Sequence, residues 1–106
     1  MIYCFDIDGT VCTSVSDSNY ESATVFPEAV MEINRLHDEG HKIIFMTARG
    51  SVSGKDWTEV TLQQLRDWGF KYHELIMHKK PHADFFIDDK VISAFTWREK
   101  IKVRSA

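Results

Sequence analysis

Asp6 and Asp8, two residues apart in the opening run Met1-Ile2-Tyr3-Cys4-Phe5-Asp6-Ile7-Asp8-Gly9-Thr10, are the first groups in the chain equipped for chemistry. The run is short, apolar and rich in aromatic and branched residues, which reads as a buried strand that stops at two carboxylates and a Gly turn. In an extended chain, residues two apart project to the same side, so both carboxylates face one spot while Ile7 points back into the core. Like charges this close are relieved by a cation, a shared proton or solvent, and a hard divalent ion such as Mg²⁺ prefers oxygen ligands of this kind. Three later apolar runs also end in chemically capable residues: Thr47 after Lys42–Met46, Lys80 after Glu74–Met77, and Asp88 with Asp89 after Asp84–Ile87. Carboxylates hold Mg²⁺, a hydroxyl hydrogen-bonds a phosphoryl oxygen, and an ammonium neutralises charge on the same group, which together make a phosphoryl-transfer site. One carboxylate can attack phosphorus to form an aspartyl-phosphate. A second, two residues on, can protonate the leaving oxygen and then activate the water that releases phosphate.

The elements that must bring these groups together alternate along the chain. After the first strand, Val11 to Phe26 is polar and without period, a loop long enough to serve as a small lid over the site. Pro27 suits a first helical turn, Ala29, Ile33 and Leu36 fall on one face, and Gly40 supplies the stop. The second strand is followed by a Gly/Ser-rich loop through Lys55. Asp56 then caps a second helix in which Thr61, Leu65 and Trp68 share a face with Leu62 beside them, and Gly69 closes it. Glu74–Met77 and Asp84–Ile87 read as two more strands, Val91 to Glu99 as a weakly patterned helix, and Lys100 to Ala106 as a frayed tail. The fold expected is α/β, a three-layer Rossmann-like arrangement with a mostly parallel sheet of about four strands and helices on both faces. In such open sheets ligands bind outside the carboxyl ends of the strands, where all these groups lie.

At 106 residues the chain is expected to form one domain, residues 1–106, with a single core and one site. No apolar stretch approaches the roughly 20 residues needed to cross a bilayer. The N-terminus runs straight into a strand with no secretory signal, so the expected location is cytoplasmic and no membrane partner is expected. Cys4 and Cys12 make no disulfide framework and are expected to be reduced. A net charge of -3 offers no basic face, so no nucleic-acid binding is expected, and a phosphorylated ligand must find local positive groups or a metal.

With these motifs in order, the chain resembles the haloacid dehalogenase (HAD) superfamily of aspartate-nucleophile phosphohydrolases over nearly its whole length. The resemblance rests on Asp6-Ile7-Asp8-Gly9-Thr10, Thr47 after a hydrophobic strand, Lys80-Pro81, and Asp88-Asp89 after another strand. It implies that Asp6 is the nucleophile and a Mg²⁺ ligand, and Asp8 the general acid/base with its backbone carbonyl on the metal. Thr47 and Lys80 would bind the phosphoryl group, Asp88 would be a metal carboxylate, and Asp89 would support the metal. An Asp at position 8 is similar to the phosphatase and phosphomutase branches. No stretch is long enough for a cap domain, so the chain looks like a capless phosphatase. Capless members act on macromolecular substrates or use a neighbouring subunit as lid, which leaves a homo-oligomer open. The segment from Lys80 to Lys90 is also similar to small members linked with polysaccharide biosynthesis, which points towards a small sugar phosphate; nucleotide and phosphoprotein substrates stay open.

Arg49 and Lys55, on the loop after Thr47, are candidates for contacts to a substrate, set against an ordinary solvated role. Lys79 competes with Lys80, which is favoured because it directly precedes Pro81. Gly50 to Asp56 resembles a nucleotide-binding P-loop only superficially, with three residues between its glycines and Asp where Ser or Thr should bind magnesium. Asp-x-Asp-Gly lacks the further acidic residues of a calcium loop. His78 and His82 flank Pro81 with no Cys nearby, so they are not read as zinc ligands. Trp57, Trp68 and Trp97 read as core or interface aromatics, and Arg98, Lys100, Lys102 and Arg104 as a solvated end. Two rivals remain: a phospho-acceptor module similar to response-regulator receivers, disfavoured because Asp88-Asp89 follows Lys80, and an inactive HAD-like binding protein, disfavoured by the presence of both Asp6 and Asp8.

Overall fold

The computed structural model describes residues 1–16 and 19–105, the last three of these by backbone alone. Asp17 and Ser18 of the polar loop, the Arg104 side chain and Ala106 of the tail lie outside what is described. The elements are β1 (Ile2–Phe5), a 3₁₀ turn (Tyr20–Ser22), α1 (Pro27–Asp38), β2 (Lys42–Met46), α2 (Thr58–Trp68), β3 (Glu74–Ile76) and α3 (Ala94–Ser105).

The alternation expected from the apolar runs produces a parallel sheet in the order β1-β2-β3. Ile2 to Phe5 lie opposite Lys42 to Phe45, and Ile44 to Met46 lie opposite Glu74 to Ile76. Each β-α-β connection needs a crossover, and α1 and α2 supply them. Ala29, Ile33 and Leu36 of α1 and Thr61 and Leu65 of α2 are the buried residues, as their helical spacing predicts. They close a core with Phe5, Ile7, Val11, Cys12, Ile43, Phe45 and Phe70, against which Trp68 and Trp97 pack. Asn34 of α1 ties the crossovers together, donating from Nδ2 to the Gly69 carbonyl at 2.8 Å and accepting from the Lys71 amide at 2.8 Å. Among the described residues no helix is long and apolar enough to cross a membrane.

The expected fourth strand is not formed, so the sheet holds three strands among the described residues rather than about four. Asp84 to Ile87 has no ladder partner, and Phe85 and Ile87 are 84% and 99% exposed. A short apolar run is ambiguous on its own and becomes a strand only by pairing with a distant one. Here the chain turns instead, as Asp88 Oδ1 accepts from the Lys90 amide at 3.1 Å.

The C-terminal expectation also changes. The last helix runs from Ala94 to Ser105 instead of fraying after Glu99. Ser93 Oγ accepts from the Thr96 amide at 3.1 Å, an N-cap that starts the helix later than Val91. Trp97 meets Phe5 with ring centroids 5.1 Å apart, and Ile101, four residues on, is buried. The two ends of the polar loop are tied to each other: Thr13 donates to the Thr24 carbonyl at 2.9 Å, Phe26 to the Val11 carbonyl at 2.9 Å, and Cys12 bridges Val25.

Both cysteines are free, as expected, with Cys4 exposed and Cys12 buried. Burial, seconded by the Asp8 charge, pushes the Cys12 thiol up to about 12 from an ordinary value of 9.0. A raised acid pKa means that the unfolded chain sheds this proton near pH 9 while the folded chain keeps it. The protection is therefore complete below pH 9 and is lost as pH rises towards 12, at no more than about 1.4 kcal/mol per pH unit. Denaturant melts between pH 8 and 11 should show the native protein losing stability more steeply than Cys12→Ala, and parallel slopes would contradict the burial of this thiol.

Candidate active site

The register that sets Phe5 opposite Phe45 aligns the ends of β1 and β2, so Asp6 and Thr47 leave the sheet from neighbouring strands. The turn after Asp8 is tight: Thr10 and Val11 donate to the Ile7 carbonyl at 3.1 and 2.9 Å, and Gly9 donates to the Cys12 carbonyl at 2.9 Å. Gly9 has φ +80, and a Cβ there would sit 2.9 Å from Ser14 Oγ, so this turn requires glycine.

Four of the expected groups converge. Lys80 Nζ lies 2.9 Å from Asp6 Oδ1, with 20% and 36% of the two side chains exposed. Of the two candidate lysines, Lys80 is the one in contact with Asp6. Ser51 Oγ donates to the Lys80 carbonyl at 3.1 Å and fixes the backbone that carries the ammonium. Thr47 is buried, its Oγ1 accepts from the Arg49 amide at 3.1 Å, and its own amide donates to the Ile76 carbonyl at 3.2 Å. Asp8 is gripped by Arg49: Nε lies 3.0 Å from Oδ2 and Nη2 2.9 Å from Oδ1, a bidentate pair.

Arg49 departs from its expected place. The sequence leaves it between a contact to substrate and an ordinary solvated charge, and the solvated reading fails, since none of its side chain is exposed. Its Nη1 donates to Thr61 Oγ1 at 3.0 Å and to Gln64 Oε1, and the guanidinium lies 4.7 Å from the centre of the Tyr20 ring. A guanidinium cannot shed its charge, so burying it demands an anion and several acceptors, and Asp8, Thr61 and Gln64 are those groups. Lys55 lies with its Nζ 4.1 Å over the Trp57 ring. Arg98, read as part of a solvated end, is half-buried, with Nη1 donating to the Gly9 carbonyl at 2.9 Å and its guanidinium 4.7 Å over Phe26.

The acidic pair Asp88-Asp89 is not brought in. Both residues are exposed, and the Lys90 amide, foremost, holds the Asp88 carboxyl below the usual range. Among the described residues no three acidic, histidine or cysteine side chains gather closely enough to hold an ion. As placed, Asp6 shares an oxygen with Lys80 and Asp8 gives both oxygens to Arg49, so the donor set does not make a magnesium site by itself. His78 Nε2 sits 3.2 Å from Asp56 Oδ1, an ordinary surface contact. A cleft lined by Glu21, Glu59, Val60, Gln63 and Gln64 shares only Gln64 with the residues around Arg49, and its two carboxylates suit no anionic ligand.

Sequence reasoning missed Thr61, Gln64 and Tyr20. Thr61 was legible as a buried residue and Gln64, three positions on, lies on the same helical side, so a buried polar pair was within reach of the pattern. Tyr20 had no such signal in an aperiodic loop.

The whole arrangement places a carboxylate with an ammonium beside it, a hydroxyl and a second, clamped carboxylate at the carboxyl end of a parallel sheet. Residues 1–104 match the family described as the polynucleotide kinase PNKP phosphatase domain, HAD_PNKP. Among solved structures, a target protein from Vibrio cholerae superposes with TM-score 0.80 at 20% identity, covering 96% of this chain and 94% of that one. A chain of a Pnkp1/Rnl/Hen1 complex gives 0.58 at 20% identity over 94% of this chain and 34% of its own. The D,D-heptose 1,7-bisphosphate phosphatase of B. bronchiseptica, complexed with magnesium and phosphate, gives 0.54 at 18% over 99% and 64%. No curated protein sequence matches. This chain belongs to the PNKP phosphatase family of the HAD superfamily, and it is a phosphatase.

Proposed function

We propose that the chain hydrolyses phosphomonoesters through an aspartyl-phosphate on Asp6. A carboxylate oxygen of Asp6 attacks phosphorus as the bond to the leaving oxygen breaks, and that oxygen takes a proton from the Asp8 carboxyl. Water then attacks phosphorus and gives a proton to Asp8 as the bond to Asp6 breaks, so Asp6 is a carboxylate again; the proton on Asp8 leaves with phosphate and arrives with the next substrate, so that in the empty site Asp8 is the anion of the Arg49 pair. Lys80 and the Thr47 hydroxyl bind phosphoryl oxygens, with Lys80 offsetting the charge that gathers on them. The observation that carries this reading is the Asp6–Lys80 pair at 2.9 Å beside the clamped Asp8. Asp6 is a third exposed, open enough for a large leaving group.

The sequence pointed to a sugar phosphate, and the likeness to a heptose bisphosphate phosphatase supports that class. The family description, a polynucleotide kinase phosphatase domain, speaks for a polynucleotide substrate, and a structure containing one neighbour is described as an RNA repair complex. The expectation of no nucleic-acid partner rested on charge, and the family description leaves it without support. The test is phosphate release from sugar phosphates, mononucleotides and end-phosphorylated oligonucleotides. Preference for oligonucleotides over the matching mononucleotide establishes the macromolecular class, and preference for sugar phosphates the metabolite class. No release from any of them overturns the enzyme reading in favour of a binding or signalling module.

Magnesium enters from the resemblance and from the neighbour that holds it with phosphate. The proposed holders are Asp6, Asp8 through its carbonyl, Asp88 and Asp89, and the ion would supply charge at the phosphoryl oxygens. Since Asp88 and Asp89 stand apart in this structure, their recruitment is separately testable. Chelation should lower turnover at least about 100-fold, and Asp88→Asn should raise the Mg²⁺ needed for half-maximal turnover roughly 10-fold or more. An unchanged requirement would remove Asp88 from the set.

A further inference from the structure

The Arg49 side chain, wholly buried, gives its guanidinium to partners within the protein and holds the one carboxylate whose direction decides proton transfer. Its Nε and Nη2 take both oxygens of Asp8, and Cys12 Sγ lies 3.6 Å from Oδ1. The guanidinium is itself immobilised from three separate elements. Its own backbone follows β2, where its amide donates to Thr47 Oγ1 at 3.1 Å. Thr61 and Gln64 of α2 accept from Nη1, and Tyr20 lies under its face. Gln64 Nε2 also donates to the Tyr20 carbonyl at 2.7 Å, so α2 fixes the loop that carries the ring. The Tyr20 ring is backed in turn by Trp57, edge-on at 5.0 Å.

Resting on the reading of Asp8 as the general acid/base, we propose that Arg49 is a positioning residue for Asp8, with Gln64 and Tyr20 as the parts that aim it. A planar fork fixes a carboxylate plane as well as its place, which a point charge such as Lys cannot do. Proton transfer needs Asp8 within hydrogen-bond reach of the leaving oxygen, and small misplacements of such a group cost orders of magnitude. The loop from Val11 to Phe26, expected as a lid, then serves as a support behind the acid/base rather than a cover over the substrate.

Such a role has a signature that a loss of folding or of binding lacks. An aryl phosphate such as p-nitrophenyl phosphate departs as a stable phenolate and needs no proton, whereas an alkyl phosphate needs one. The ratio kcat/KM reads only the steps up to release of the leaving group, so the later hydrolysis of the aspartyl-phosphate does not enter it. Arg49→Lys, with its fold checked by circular dichroism, should lose roughly 100-fold or more in kcat/KM on the alkyl substrate and less than about 5-fold on the aryl one. Gln64→Met keeps the shape but drops the aim, and should show the same selectivity at roughly 3- to 10-fold; it carries the test if the buried Arg49 substitution does not fold. Equal losses on the two substrates in a folded variant, or no loss on either, would overturn the proposal. Absence of release by the native protein on both substrates would instead overturn the phosphatase chemistry on which it rests.

Discussion

Asp6→Asn should fold like the native protein and lose turnover by about four orders of magnitude or more. The asparagine keeps the shape of the side chain and its place at the end of β1, but its amide oxygen cannot form the bond to phosphorus, and removing a nucleophile costs on this scale in enzymes that work through covalent intermediates. Lys80 loses its ionic partner, but with 20% and 36% of the two side chains exposed the pair contributes little beyond about 1 kcal/mol. Thermal melts should therefore shift by only a few degrees while phosphate release disappears. Asp6→Glu sharpens the point: it retains the carboxylate but pushes it one methylene outward, past Lys80, and a displaced nucleophile should still lose about 100-fold. Phosphate release by Asp6→Asn close to the native rate, on any substrate the native protein accepts, would move the nucleophile elsewhere and dissolve the reading built on the Asp6–Lys80 pair.

Asp6, Asp8, Thr47 and Lys80 were legible because each stands where an apolar run stops, and parallel strands carry all such stops to one edge of the sheet. Lys80 was preferred over Lys79 for its place before Pro81, and its 2.9 Å contact with Asp6 supports that preference. Arg49 was misplaced for a definite reason. A charge on a loop after a strand is ordinarily solvated, and what buries this one is a carboxylate 41 positions earlier and two polar side chains on the following helix. No local pattern reports such a meeting. The run Asp84–Ile87 failed in the opposite direction, since its composition fits a strand but strand formation is a property of a pair of segments. The C-terminal helix was expected only over Val91 to Glu99, and the Lys and Arg residues beyond it suggested a frayed end, although the four-residue spacing of Trp97 and Ile101 was there to extend it. Arg98 shows why that suggestion misled, because the long side chain covers Phe26 and reaches the Gly9 carbonyl behind the catalytic turn.

Asp8→Ala should be the most destabilising single change at the site, as well as an inactivating one. Arg49 is wholly buried and stays charged, and Asp8 is the anion paired with it. Removing one member of a buried pair strands the other, at a cost of about 3–5 kcal/mol. For a domain of this size each kcal/mol moves the midpoint by roughly 4 °C, so the melting temperature should fall by roughly 12–20 °C. Two companions separate charge from shape. Asp8→Asn retains an acceptor oxygen for the fork and should lose about half of that stability, with the same inability to exchange a proton with the leaving oxygen or with water. Combining Asp8→Ala with Arg49→Met removes the stranded charge, so the pair of changes should be less destabilising than Asp8→Ala alone, a sign of coupling that only partners in one interaction show. If the double variant were instead the sum of its parts, Arg49 and Asp8 would be independent, and the clamp that joins the loop, α2 and the end of β1 to the acid/base would have no energetic basis.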